Sequence, residues 1–169
     1  VANHELKDIA DAVILTLTSL VAPSYTGISI TKGQWKTEWL PAITTYGIRI
    51  APTGIPWTER TIGPRYFQRI YRFDLFLLCK VTDEDLSLWG EASDPTKGVF
   101  QLVQDVKDTL RGNRLGLSFM DQTYEEVGGD VAFDLLAAPG FESAGKTFVH
   151  RCRMPYTPRT KPFCWPLIP

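Results

Sequence analysis

The chain is poor in the features that usually announce an enzyme. Its 169 residues hold three cysteines and two histidines, with no C-x-x-C pair, no G-x-S-x-G elbow, no G-x-G-x-x-G turn and no phosphate-binding G-x-x-x-x-G-K loop. Cys79, Cys152 and Cys164 are an odd set without paired spacing, which excludes a disulfide framework and indicates free thiols in a reducing compartment. Cys79, His150 and Cys152 could be drawn around a metal. Zinc asks for four ligands, or three with a polar opening, and the remaining His4 and Cys164 sit in the two termini, so core cysteines and a hydrogen-bonded histidine are the simpler reading. The acids Asp83, Glu84 and Asp85, and the pair Glu125 and Glu126, read as helix capping and solvated surface before they read as a catalytic carboxylate pair. No catalytic residue, metal or cofactor is assigned, and the chain reads as non-enzymatic.

Charge of one sign is also missing. A formal net charge of −1 argues against a protein that coats nucleic acid. Nor is there a long apolar run: Ile9 to Ala22 is shorter than the ~20 residues a spanning helix needs, and Glu5, Asp8 and Asp11 stand where a signal peptide carries basic residues. A soluble protein made in the cytoplasm is expected, with no membrane partner. At this length one ordinary domain can bury about 68–70% of its unfolded surface without staples. Residues 1–154 are read as that domain and 155–169 as an appended arm.

What the sequence does have is one long alternating stretch. From Tyr66 to Val81 the residues Phe67, Tyr71, Phe73, Leu75, Leu77, Cys79 and Val81 fall on one face and Gln68, Arg72, Asp74 and Lys80 on the other. This predicts a single half-buried antiparallel strand, with Arg69 the one charged misfit on the apolar face. At roughly 3.3 Å per residue it spans about 50 Å, far beyond the usual ~20 Å. Its first half must then project, as part of a hairpin arm over about 46–80, and such an arm needs cover from outside the chain.

Around this strand the pattern is α+β. Leu6, Ile9, Ala10, Val13, Ile14, Leu17, Leu20 and Val21 recur at helical spacing and predict a helix over about 4–22, capped by Asn3 and stopped by Pro23. Ile28 and Ile30, with Lys32-Gly33 as a turn toward Trp35 and Trp39, suggest a hairpin. Tyr46, Ile48 and Ile50 mark a short strand over 45–51, and the Pro- and Gly-studded run 52–64 reads as a functional loop with Trp57 at its tip. Asp83 to Trp89 predicts a helical turn or two. Asp94-Pro95 predicts the start of a second helix with Val99, Leu102, Val103, Val106 and Leu110 buried, closed by Gly112-Asn113. Strands are then expected at 117–119, 122–127, 131–136 and 146–154, with Gly128 to Asp130 a turn and 139–145 a loop. Five prolines among Tyr156, Phe163 and Trp165 exclude 155–169 from any interior strand or helix, and the segment is expected to lie on its own domain or on a neighbour.

Two surfaces follow as candidate contacts. Arg60, Arg65, Arg69 and Arg72 interleave with Trp57, Tyr66, Phe67 and Tyr71, the mixture that protein interfaces prefer and that single-stranded nucleic-acid surfaces also use. Protein contact is favoured, through Trp57, Glu59, Arg60, Arg65, Phe67 and Arg69 on the arm and Tyr156, Phe163 and Trp165 on the C-terminal segment.

The order of elements over about residues 4–154, with Leu40-Pro41-Ala42-Ile43 and Tyr46 entering a strand, the Phe73 to Val81 strand and the Val99 to Leu110 helix, resembles the tail terminator family of long-tailed bacteriophages, of the minor tail protein U type. Related neck and head-completion proteins share parts of the layout. The resemblance implies an α+β subunit in the virion neck that closes as a hexameric ring on the last ring of the tail tube and docks the head connector or stopper. DNA would pass through such a ring without sequence-specific binding. No cofactor or catalytic residue is implied. A mainly antiparallel sheet with a long hairpin arm, two flanking helices and a proline-rich C-terminal arm is therefore the expected fold.

Overall fold

The computed structural model describes residues 4–36, 39, 42–81, 84–90, 97–121, 126–127, 131–136 and 148–164. The alternating stretch forms β3 over Tyr66–Val81, as its periodicity predicts. Among the described residues β3 is the centre of a mostly antiparallel mixed sheet of seven strands, β1 (Ser29–Lys32), β2 (Tyr46–Gly63), β3, β4 (Glu126–Val127), β5 (Ala132–Leu136), β6 (Phe148–Thr157) and β7 (Phe163–Cys164). β2 lies on one side of β3; β6 and β7 lie on the other, and β6 carries β5 and β4 on its far edge. The helices are α1 (Glu5–Leu20), the short α2 (Glu84–Leu88) and α3 (Val99–Leu110). The α+β class is thus observed.

α1 and α3 cover one face of the sheet because their apolar stripes fit the alternating face beneath them. Ile9, Ala10, Val13 and Leu17 from α1 and Val99, Leu102, Val106 and Leu110 from α3 pack on Ile48, Ile50, Phe73, Leu75, Leu77, Cys79, Cys152 and Met154. The opposite face has its own small cluster, Ile43, Leu78 and Val149, covered by Trp35 and Trp39. Trp35 lies 4.9 Å from the Phe76 ring, and the Arg151 guanidinium stacks 4.9 Å above Trp35. A residue such as Leu78 is therefore buried on the face that alternation reserves for polar groups.

Several expectations are corrected. The hairpin expected after Ile28 is a parallel pairing: β1 runs beside β2 from Ser29 opposite Gly47 to Lys32 opposite Ile50. Gly33, at φ +136°, then turns the chain away; any Cβ there would meet the Arg49 guanidinium at 2.5 Å. The loop expected over 52–64 is strand, since β2 continues to Gly63 with a bulge between Pro52 and Trp57, and the hairpin turns on Pro64 and Arg65 alone. α1 begins after His4, which gives no side-chain cap, and Asn3 lies outside the described residues. Leu20, expected on the buried stripe, is 62% exposed because the helix ends there and a 3-10 turn, Ala22–Ser24, follows. α3 starts at Val99 behind Gly98, whose missing Cβ leaves room for the Leu88 carbonyl of α2; Asp94 and Pro95 are outside the described residues. Residues 117–119 are turn, not strand, while Gly112 at φ +69° closes α3 as its sequence suggests. The expected turn at 128–130 and loop at 139–145 also lie outside the described residues.

The boundary drawn at 154/155 falls inside β6. Pro155 stands opposite Asp74 of β3, and Tyr156 opposite Phe73. The Tyr71 amide donates to the Pro158 carbonyl at 2.9 Å, so by alternation Tyr156 and Met154 bond to β3 and Pro155 faces the other edge. That edge is where β5 ends, opposite Arg153, and β4 begins, opposite Tyr156. A residue with no N–H fits on this edge, where no partner of Pro155 is found among the described residues.

Candidate interface on the distal hairpin

Beyond Tyr71 the β2–β3 hairpin leaves the helices, and here the C-terminal segment supplies the cover. The chain from Pro158 to Cys164 runs antiparallel along β3: the Thr160 amide donates to the Arg69 carbonyl at 3.0 Å, Phe163 stands opposite Phe67, and Cys164 opposite Tyr66. A further stretch joins its outer side, with Lys161 N to Phe119 O at 2.7 Å and Asp121 N to Arg159 O at 2.9 Å. Gln68, only 3% exposed, ties the layers together: its Nε2 donates to the Thr160 carbonyl at 2.9 Å and its Oε1 accepts from Arg60 Nε at 3.0 Å. The expectation that the arm needs cover from outside the chain is corrected for β3: toward the tip as well as in the body it has partners on both edges, β2 on one and β6 with the C-terminal segment on the other.

Among the described residues the uncovered edge belongs to β2. Odd-numbered residues of β3 bond to the C-terminal segment, so even-numbered ones bond to β2, and their partners are Thr58 and Arg60. Trp57, Glu59 and Thr61 then aim their N–H and C=O groups outward. Among the described residues β1 pairs with β2 only over Gly47–Ile50, and Pro52, in register with the outward-facing Ile48 and Ile50, has no N–H to continue that ladder. On this distal hairpin Ile55 is 65% exposed, Trp57 51% and Ile62 48% along β2, and Tyr66 53% at the start of β3.

The arginines of the arm divide between two faces. Arg69 lies with Trp57 and Tyr71 on the α1 side, its Nε 2.8 Å from Glu59, its Nη1 3.2 Å from Glu5 and its guanidinium 4.7 Å from the Phe163 ring centre. The bond to Glu59, followed by that to Glu5, raises its already high pKa. This resolves the charged misfit. The Tyr71 hydroxyl also donates to Glu5, and burial, then that bond, raises the phenol above its ordinary value. Arg60 and Arg72 lie on the opposite face, Arg60 bound to Gln68 and Arg72 Nη1 donating to Thr58 Oγ1 at 3.0 Å. Arg65 occupies the exposed turn.

Of the residues singled out from sequence, Trp57 and Arg65 are exposed, Glu59 and Arg60 are exposed but bound within the chain, and Phe67 rests on Phe163 with ring centres 6.1 Å apart. Tyr156 is fully buried in the main core rather than at an outer surface, because it belongs to β6. Trp165 lies outside the described residues. Sequence reasoning missed Ile55 and Ile62; the apolar residues flanking Trp57 at two and five positions were the available signal. Cys79 and Cys152 are buried, and burial pushes their thiols up to about 12 and about 11, which keeps them protonated and unreactive. His150 is 2% exposed and stacks on Phe133 at 5.3 Å. Among the described residues no group of three or more His, Cys, Asp or Glu could hold a metal ion.

The candidate site is thus the outer edge of distal β2, unpaired among the described residues, together with exposed apolar side chains on the distal hairpin. Comparison of the chain with protein-family models and with curated proteins finds no match.

Proposed function

We propose that this chain is a structural subunit of a phage virion neck, of the tail terminator type, whose copies close into a ring on the tail tube and meet the head connector. One observation carries the reading: Ile55, Trp57, Ile62 and Tyr66 are about half or more exposed on a hairpin whose outer β2 edge is unpaired among the described residues. Exposed apolar side chains next to unpaired backbone groups are stable in water at a cost that a protein partner removes. A heterologous contact between copies, arm against body, closes into a ring when the rotation permits. The α+β layout and the long hairpin support the same reading. Among the described residues no helix is long and apolar enough to cross a membrane.

A single-stranded nucleic-acid surface would draw on Arg60, Arg65, Arg69 and Arg72 together. Arg69 faces away from Arg60 and Arg72 and is bound to two carboxylates, so protein contact is the reading retained. The test is the double substitution Trp57→Ala and Ile62→Ser. The variant keeps the far-ultraviolet circular dichroism of the parent and fails to cap tail tubes assembled in its presence, seen by negative-stain microscopy as tubes of unregulated length. Normal capping by this variant would overturn the assignment.

A further inference from the structure

A second apolar feature lies at the foot of the arm, where β1 ends and the open edge of β2 begins. It is a groove of about 400 Å³ between α1 and the sheet, floored by Ala10, Pro52 and Phe73, walled by Leu6, with Lys7 and Lys32 at its mouth. Both lysines hold Asp11, Lys7 at 2.7 Å. The volume suits one large aromatic side chain with an aliphatic neighbour. Both ammonium groups converge on the one Asp11 carboxylate, so the rim is polar and the floor is left apolar.

The chain carries such an occupant. Trp165, Pro166, Leu167, Ile168 and Pro169 follow Cys164, and the two prolines restrict the segment so that ordering it costs little. It starts at the wrong end of the molecule to fill its own groove. Cys164 stands opposite Tyr66, at the tip of the hairpin, and the preceding residues run toward that tip and away from the body. From Tyr66 back to Phe73 is seven residues of strand, roughly 23 Å. Five residues fully extended span at most ~18 Å.

We infer that the groove of one copy receives the Trp165–Pro169 segment of a second copy, with Trp165 as the anchor. The inference rests on the ring reading and names its contact: tip of one protomer to foot of the next. Because donor and acceptor surfaces differ, the contact is heterologous and propagates around a closed assembly.

The experiment uses a fluorescein-labelled peptide of residues 165–169 and, as receptor, the whole chain carrying Trp165→Ala and Leu167→Ser, so that its own segments do not compete. Fluorescence anisotropy shows saturable binding that weakens at least tenfold with Leu6→Glu or with Ala10→Trp, which fills the groove. Leu6 is only partly buried, so Leu6→Glu remains informative if Ala10→Trp does not fold. Absence of binding at millimolar peptide, or binding indifferent to Leu6→Glu, overturns the inference. Displacement of the bound peptide by one spanning residues 54–62 would assign the groove to a neighbour's hairpin and overturns it as well. The two proposals separate cleanly. A peptide that binds to a protein unable to cap tubes sinks the neck assignment alone, and a protein that caps tubes without binding the peptide sinks the groove alone.

Discussion

The two halves of one hairpin differ in what holds them. Near the body, Tyr46–Ala51 of β2 and Phe73–Cys79 of β3 are buried almost throughout, between two helices on one face and a tryptophan-lined strip on the other. Toward the tip the same two strands are held by polar ties: Arg69 to Glu59 and Glu5, Gln68 to Thr160, Arg60 to Gln68. Burial in the first half is worth about 1.5–3 kcal/mol for each large side chain. The second half is ordered mainly by hydrogen bonds, each worth about 0.5–1.5 kcal/mol net. The lesson is that a strand can be made stiff without a core if its neighbours saturate its edges, and its apolar residues are then left available.

The sharpest way to break this comparison is to truncate one side chain in each half. Leu77→Ala, at a fully buried position, should cost about 2–5 kcal/mol by denaturant unfolding, whereas Ile62→Ala, nearly half exposed, should stay within about 0.5 kcal/mol. Equal costs would mean that the distal half is buried in the unassembled chain. A middle-sized effect is expected at the junction. Arg69→Met removes the guanidinium that Glu5 and Glu59 share, and since all three residues are partly exposed the loss should be about 1 kcal/mol, shrinking when salt is raised.

The last comparison concerns the thiols. Ellman's reagent should titrate Cys164 promptly in the folded protein and reach Cys79 and Cys152 only on unfolding. Their raised values carry a pH consequence with a definite sign. Buried thiols stay protonated where unfolded ones ionise, so the unfolded state sheds protons first. Stability holds below about pH 8.5. It should then decline between that point and the folded values of about 11 and about 12. A flat profile across this window would show that the body half opens on its own.

How far the fold could be read from sequence follows the same division. β3 and the buried stripes of α1 and α3 were legible because one-sided burial writes a period into the chain. The distal half of β2 was not, because Pro52, Gly54, Pro56 and Pro64 are punctuation in any local reading. The structure explains each proline separately: Pro52 faces the outer edge of β2 and forfeits no bond to β3, Pro56 sits in the bulge between Pro52 and Trp57, and Pro64 is in the turn. Parallel β1 was misread since Ile28 and Ile30 alternate equally well beside either neighbour, and Lys32-Gly33 looks like a tight turn until Arg49 is seen packed on it. Arg69 was visible as an anomaly, but its partners Glu5 and Glu59 come from sequence positions 64 and 10 residues away, beyond any local pattern. The exposed residues Ile55, Trp57 and Ile62 were partly visible through the tryptophan alone.

The pairing of β3 with β6 sets an order of events during synthesis. Val81 leaves the ribosome about 70 residues ahead of Phe148, its partner on that edge. At 5–20 residues per second the middle strand waits roughly 3 to 13 s with one side bare. For that interval the nascent sheet ends on its most apolar strand, so slowed translation between residues 82 and 147 would lengthen the period in which polysome neighbours can pair with it.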